Sequence, residues 1–169
     1  MSAAHYGKQV IDQLRHLLGD VDDLITYEHP TLPDVDFALV RFRSCPDRYF
    51  TAGLSDDLYD KVELTLAHDA WSPGLQDVFA YIGTYVAVKG IHVFSGVNIS
   101  NLEVSTAQFG YPDIGGCVFR ANTRDGTDLM IDVTTSQGAH RALPIYDTVL
   151  LSPGEAVAVA RGNNPYLDP

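Results

Sequence analysis

The residues best suited to chemistry lie in the stretch GLSDDLYD at positions 53–60. Asp56, Asp57 and Asp60 place three carboxylates close together, which suggests either a cation-binding or catalytic loop or an acidic turn. An EF-hand calcium loop requires alternating acidic positions, a central glycine and a glutamate at its twelfth position. The stretch lacks that alternation and that glycine, so its spacing does not support a metal site.

The histidines and the glycine-rich segments do not match a known catalytic or metal centre. The histidines occur singly, with no HxH, HExxH or CxxC arrangement. They are His5, His16, His29, His68, His92 and His140. No GxSxG motif marks a nucleophile, and the glycines at 110–116 neither follow a strong strand nor open a helix, as a phosphate loop would. We therefore expect no catalytic residue, no metal and no cofactor, and an enzyme without a recognised motif stays an alternative.

The chain is strongly acidic, with a formal net charge of -11 over 169 residues. Twelve of its 22 acidic residues lie between Asp20 and Asp69, where four basic residues leave a net charge of -8. A surface of this sign repels nucleic acid and anionic membranes and speeds the association of a basic partner. The alternative is that the charge serves only solubility. We expect a protein partner, and neither nucleic acid nor membrane.

The sequence carries no signal for secretion or membrane insertion. Apolar residues at the N-terminus are interleaved with Lys8, Asp12 and Arg15, which is unlike a signal peptide. No apolar run approaches the roughly 18 residues of a membrane span. Cys45 and Cys117 lie in apolar, strand-like runs and are expected to be buried free thiols. These features predict a cytoplasmic protein.

Strands are predicted on both sides of the acidic stretch. Residues 36–45, 48–54 and 61–68 have strand patterns, which are clearest in the last of the three. Their tight connections predict an antiparallel meander. A turn is predicted at 29–34, because it contains two prolines.

Helices are predicted before and after this meander. Apolar residues recur at helical spacing over 6–18, and Gly19 ends the pattern. A second helix is predicted to begin after Ser72, its N-cap, with Pro73 at the first helical position, and to end at Gly90.

The C-terminal half is predicted to add strands and a closing helix. Residues 102–109 are interpreted as a strand, and the runs 117–123 and 129–135 as a hairpin around Asp125–Gly126. A further strand is predicted at 141–146. The closing helix is expected to be capped by Ser152.

The complete pattern predicts an α+β fold in the order α-βββ-α-βββ-α, with a mainly antiparallel or mixed sheet flanked by helices. Residues 1–162 are expected to form one domain, and residues 163–169 a C-terminal tail.

The stretch RYFTAGLSDDLYDKVELTL at 48–66 resembles the suppressor-of-fused domain family. In that family an aromatic strand runs into a G-L-S-[DE] turn, which is followed by a strand containing E-L-T. Further resemblance follows in the same order over about residues 20–162. The matched positions are Tyr49, Gly53, Leu54, Ser55, Asp56, Glu63, Leu64, Thr65, Leu66, Trp71, Leu75, Ala80, Tyr85, Val86, Gly90, Phe94, Gly96, Val97, Pro144, Ile145 and Tyr146.

The resemblance is to the bacterial single-domain type, with two departures. The segment DTVLLSPG separates Pro-Ile-Tyr from the closing helix, and little of 116–143 matches. The resemblance implies protein binding rather than catalysis, by an extended peptide that adds to the sheet. It nominates Tyr49 as an aromatic anchor, and Asp56, Asp57 and Asp60 as acceptors for a basic side chain.

Each nominated residue also has a purely structural explanation. Gly53 and Ser55 are expected to shape the turn, and Glu63 to bond a neighbouring backbone amide. Tyr49 could pack in the core, and the aspartates could form a solvated turn. Among functions, a bacterial immunity protein that neutralises a basic toxin fits both the resemblance and the charge. A regulatory binding module outside any toxin system is the alternative.

Overall fold

The chain folds around a mixed β-sheet with helices on both faces, in a computed structural model that describes residues 6–28, 36–58, 60–124 and 126–165. The helices are α1 (Gly7–Leu18), α2 (Pro73–Lys89), α3 (Glu103–Gln108) and α4 (Pro153–Ala160). The strands are β1 (Val21–Glu28), β2 (Asp36–Phe42), β3 (Cys45–Ala52), β4 (Glu63–Ala67), β5 (Asn98–Ile99), β6 (Gly116–Ala121), β7 (Thr123–Arg124), β8 (Thr127–Asp128), β9 (Met130–Thr134) and β10 (His140–Leu151). One 3₁₀ turn, Leu54–Asp56, lies between β3 and β4.

The main sheet has the order β1-β2-β3-β4-β10-β6-β5, and β9 also pairs with β10. Its first four strands form an antiparallel meander, as predicted, with β1 added in front of the three predicted strands. β4 and β10 are parallel, which makes the sheet mixed. The α+β class and the mixed, helix-flanked sheet are therefore confirmed.

Alternating side chains place one core on each face of the sheet. Leu39 of β2 and Tyr49 of β3 belong to the larger core, which packs under α2. Val40 and Phe50, their neighbours along the chain, belong to the second core, which packs under α1. Successive residues of a strand point to opposite faces, so the two cores lie on the two sides of the sheet.

The helix termini follow the predicted capping chemistry. The Ser72 hydroxyl accepts a hydrogen bond from the Leu75 N–H at 3.1 Å, and Gly90 ends α2 with φ of +63°. At α4, Ser152 and Glu155 form a reciprocal capping box. α1 ends at Leu18, before Gly19, as predicted. The turn predicted at 29–34 lies outside the described residues.

The stretch predicted as a strand at 102–109 is a helix, α3, and that prediction was wrong. Leu102 and Thr106 are both buried and lie four positions apart, which is helical spacing. Val104, between them, is 73% exposed, so the alternation of a strand is not realised. The Thr106 hydroxyl donates to the Leu102 and Ile114 carbonyls at 3.0 and 2.7 Å, which fixes the short helix.

The hairpin predicted around Asp125–Gly126 exists only at its tip. β7 and β8 pair on either side of that turn, where Asp125 itself is not among the described residues. The longer strands β6 and β9 do not pair with each other, because each pairs with a different half of β10. β10 runs from His140 to Leu151, well beyond the predicted 141–146.

Both cysteines are free thiols, and part of the predicted tail contacts the domain. Cys117 is fully buried and Cys45 half-buried, and both are free. In the segment predicted as a tail, the Asn164 side chain donates to the Gly96 carbonyl at 2.8 Å, and residues 166–169 lie outside the described ranges. No helix in the described ranges is long and apolar enough to cross a membrane.

Candidate protein-binding site

The turn after β3 is shaped by Gly53 and by the carboxylate of Glu63. Gly53 has φ of +103°, a conformation that side-chain-bearing residues rarely adopt, and it turns the chain into the 3₁₀ turn. The Gly53 N–H donates to the Glu63 carboxylate at 3.1 Å. This geometry is consistent with the turn-shaping role that the sequence predicts for Gly53.

Glu63 is fully buried and its carboxylate is surrounded by donors. It accepts hydrogen bonds from the Ser55 hydroxyl at 2.6 Å, the Ser55 N–H at 3.2 Å and the Thr51 hydroxyl at 2.7 Å. Burial raises the pKa of Glu63 from 4.5 to about 7, against the opposite effect of these hydrogen bonds. Glu63 thus bonds backbone amides as expected, and with Ser55 and Gly53 it fixes the shape of the turn.

Asp56 fastens the turn to α1. Both of its carboxylate oxygens accept from the Tyr6 N–H, at 2.9 and 3.1 Å, just before the first residue of the helix. Lys61, whose φ is +52°, donates through its ammonium to the Asp56 backbone carbonyl at 3.0 Å. The Asp56 carboxylate is therefore engaged within the fold.

Asp57 lies in an acidic environment and is half-buried. Burial, followed by the nearby carboxylates of Asp56 and Asp36, raises the pKa of Asp57 to about 6. Its Oδ2 is buried and has no hydrogen-bond partner among the described residues. The carboxylates of Asp36, Asp56 and Asp57 are therefore close enough to repel one another.

Asp60 contacts the loop after α2 instead. Its carboxylate accepts from the Val93 N–H at 2.9 Å and lies 3.2 Å from the His92 Nδ1. The three aspartates therefore point to different neighbours, and Tyr59, between them, lies outside the described residues. Within the described ranges, no group of three or more His, Cys, Asp or Glu side chains could hold a metal ion. Whether the aspartates bind a partner stays a prediction.

Tyr49 is fully buried, which agrees with the packing alternative, and its role as a partner anchor stays a prediction. Its ring packs at 4.6 Å between centroids against Trp71, edge to face. Its hydroxyl donates to Asp23 and accepts from the Gln76 amide at 3.0 Å. Burial, followed by the bond to Asp23, raises the pKa of Tyr49 to about 12. The structural explanation for Tyr49 therefore applies.

The sequence interpretation missed β1, which forms one edge of the sheet. β1 pairs with β2 over residues 21–28, and it pairs with no other strand among the described residues. Its inward side chains, including Ile25 and Tyr27, are half-buried and alternate with exposed ones. That alternation was available in the sequence, but Leu24, on the exposed side and 53% exposed, obscures it.

Carboxylates line this edge. Asp20 precedes the strand and is exposed, and Asp22 forms an ion pair with Arg41 at 2.9 Å. At the other end of β1, Thr26 and Tyr27 share a shallow cleft of about 270 Å³ with Asp36 and Asp56. The acidic turn thus adjoins the edge strand, although their sequence positions are far apart.

The comparisons with known proteins concern the fold. No family model matches the chain, and no curated protein matches it. A solved structure described as a suppressor of fused homolog from Neisseria gonorrhoeae has a TM-score of 0.55 at 8% identity, over 92% of this chain and 82% of that one. A chain of the Sufu–Fu complex has a TM-score of 0.54 at 14% identity, over 95% of this chain and 81% of that one. The chain therefore has a suppressor-of-fused-like fold.

Proposed function

We propose that this chain is a non-catalytic protein-binding module whose binding site is the outer edge of β1. The observation that carries this assignment is the one-sided pairing of an eight-residue strand in the described structure. Such an edge presents a row of backbone N–H and C=O groups to an incoming strand. An extended segment of a partner can therefore add to the sheet through main-chain hydrogen bonds.

The acidic residues near β1 favour a basic partner. Asp20 precedes β1 and Asp22 lies on it, paired with Arg41, and Asp36 and Asp56 line the cleft at its far end together with Lys8. A strand with alternating Lys or Arg would place its cations beside these carboxylates. A second copy of the same edge would instead bring like charges together, which disfavours self-pairing.

The structural neighbours support protein binding. One of them is a chain of a protein–protein complex, the Sufu–Fu complex. The likeness concerns the fold, and the assignment to this chain also depends on the edge and its charge.

The more specific function that we propose is neutralisation of a toxin, as by a cytoplasmic immunity protein. The net charge of -11 supports it, because an acidic inhibitor can occupy the surface with which a basic nuclease contacts phosphates. A regulatory module that binds a basic peptide is the alternative. A neighbouring gene for a large secreted toxin would favour the first, and its absence the second.

The edge is tested by one substitution and a matched control. Leu24→Lys adds a cation to the exposed side of β1, and Val88→Lys makes the same change at a 47% exposed position on α2. The probe is a fluorescein-labelled, blocked peptide of alternating lysine and valine. We expect Leu24→Lys to weaken its binding about tenfold, and Val88→Lys to change it by less than about twofold.

Three results would contradict the assignment. One is equal affinity of the two variants for the probe. Another is binding of a glutamate–valine peptide as tightly as the lysine–valine one. The purified protein could also turn over generic esters, phosphoesters or nucleotides, which would indicate an enzyme.

A further inference from the structure

The two parallel strands in the middle of the sheet part after three paired positions. The register of β4 and β10 ends where Thr65 lies opposite Asp147. Residues 66–68 and 148–150 then line a cleft of about 300 Å³. The sheet therefore has an opening in its interior, between two strand edges.

Among the described residues, β4 and β10 have no paired positions beyond Thr65 and Asp147. β4 is paired with β3 on its other side, and β10 with β6. In a strand, the N–H and C=O groups of alternate residues point to opposite sides, so about half of those in 66–68 and 148–150 face the cleft. An extended peptide carries the complementary donors and acceptors.

A buried hydroxyl in the cleft wall also lacks a partner. Thr148 lines the cleft and is 4% exposed. Its Oγ1 makes no hydrogen bond within the described part of the chain. A buried hydroxyl without a partner is destabilising, and a bound polar group would offset that cost.

The cleft has a positive rim in an otherwise acidic protein. Arg48 and Arg120 lie 2.8 and 4.0 Å from the Asp147 carboxylate, which also accepts from Asn122 at 2.9 Å. The lining of the cleft thus contains two guanidinium groups and one of the chain's carboxylates. His68 also lines the cleft, and Asp69 lies 3.5 Å from its Nδ1.

We propose that this cleft binds an acidic, extended segment of a partner protein. The segment's backbone pairs with the open edges of β4 and β10, and its carboxylate lies beside Arg120, which is half-exposed. This surface has the opposite charge preference from the β1 edge and does not depend on it. A partner with basic and acidic segments could therefore contact both.

The first experiment measures binding by the amide shifts of ¹⁵N-labelled protein. The probes are three blocked tripeptides with valine at both ends and glutamate, glutamine or lysine in the centre. We expect the glutamate peptide to shift the amides of 66–68 and 148–150, and to bind about tenfold tighter than the glutamine peptide. The lysine peptide should bind more weakly still.

The second experiment uses variants of the same protein. Arg120→Gln should weaken the glutamate peptide about tenfold, whereas Arg141→Gln, at an exposed position on the same strand, should leave its affinity unchanged. Thr148→Val removes the hydroxyl while keeping the side-chain shape, and should weaken binding of all three peptides. Leu24→Lys should bind the glutamate peptide as the unmodified chain does, which separates this cleft from the β1 edge.

Several outcomes would overturn the assignment. These are an absence of shifts at 66–68 and 148–150, equal affinity for the three tripeptides, and equal loss in Arg120→Gln and Arg141→Gln. Acetate that reproduces the shifts with the affinity of the glutamate peptide would indicate a simple anion site instead of a peptide cleft.

Discussion

The buried carboxylate of Glu63 stabilises the turn after β3 through several hydrogen bonds. Its buried carboxylate accepts from two side-chain hydroxyls and two backbone amides, and no Arg or Lys ion pair involves it in the described structure. Removing that acceptor would leave several buried donors without a partner, and each such group costs about 1–3 kcal/mol. The side chain therefore stabilises the turn of the acidic stretch.

We expect Glu63 to make stability depend on pH. Because its pKa rises from 4.5 in a solvated chain to about 7 in the fold, the folded state holds the proton more tightly than the unfolded state. The free energy of unfolding should fall as pH rises from about 4.5 to about 7, by about 3 kcal/mol, and then level off. Urea unfolding at a series of pH values measures this change.

Two variants isolate the contribution of this carboxyl group. Glu63→Gln can still accept through its oxygen, and its amide can donate to Thr51, so the variant should fold and lose this part of the pH dependence. Glu63→Ala should be less stable by about 3 kcal/mol or more throughout. Identical pH profiles for the unmodified chain and Glu63→Gln would contradict the assigned pKa.

At the scale of elements, the sequence predicted those whose signals are local. The caps at Ser72 and Ser152 and the glycines after α1 and α2 depend on residues a few positions apart, and the structure places them as expected. The strand pairs of β10 depend on residues that are distant along the chain, and they were not predicted. The prediction of a strand where α3 lies was wrong, because an alternation of apolar residues over eight positions fits either a strand or one face of a short helix.

The sequence predicted only part of the candidate site, because the rest depends on residues that are distant along the chain. Gly53, Ser55 and Glu63 act on one another across ten residues, and their structural roles follow from their types. The orientation of Tyr49 depends on which face of β3 meets α2, which the alternation alone does not specify. The closeness of the acidic turn to β1 depends on the pairing of β1 with β2, and β1 itself was missed.

The capping box of α4 supports a short helix at the end of the long strand β10. Ser152→Ala removes the acceptor for the Glu155 N–H and should lower the free energy of unfolding by about 1 kcal/mol. Ser136→Ala, in an exposed turn, is the matched control and should change it by less than about 0.5 kcal/mol. Both are measured by urea unfolding. A loss of similar size in the two variants would argue against a specific capping effect.

For the whole molecule, charge should matter more than any single ion pair. The net charge of -11 repels itself in the folded state, and most ion pairs of the described residues are at least partly exposed. We therefore expect the thermal midpoint to rise as sodium chloride increases from about 0.01 to about 0.15 M, because salt screens this repulsion. Calorimetry at constant pH measures the change. A falling midpoint would mean that attractive pairs dominate instead.

The long strand β10 also constrains the order in which the molecule is assembled. Glu63 of β4 is paired with Ile145 of β10, 82 positions further along the chain. During synthesis on the ribosome, the meander β1–β4 emerges well before its parallel neighbour exists. Pairs this distant in sequence slow folding. Until β10 is synthesised, the unpaired edge of β4 is a site at which nascent chains can aggregate. We therefore expect the negative charge of the N-terminal half to oppose association between neighbouring nascent chains before β10 is synthesised.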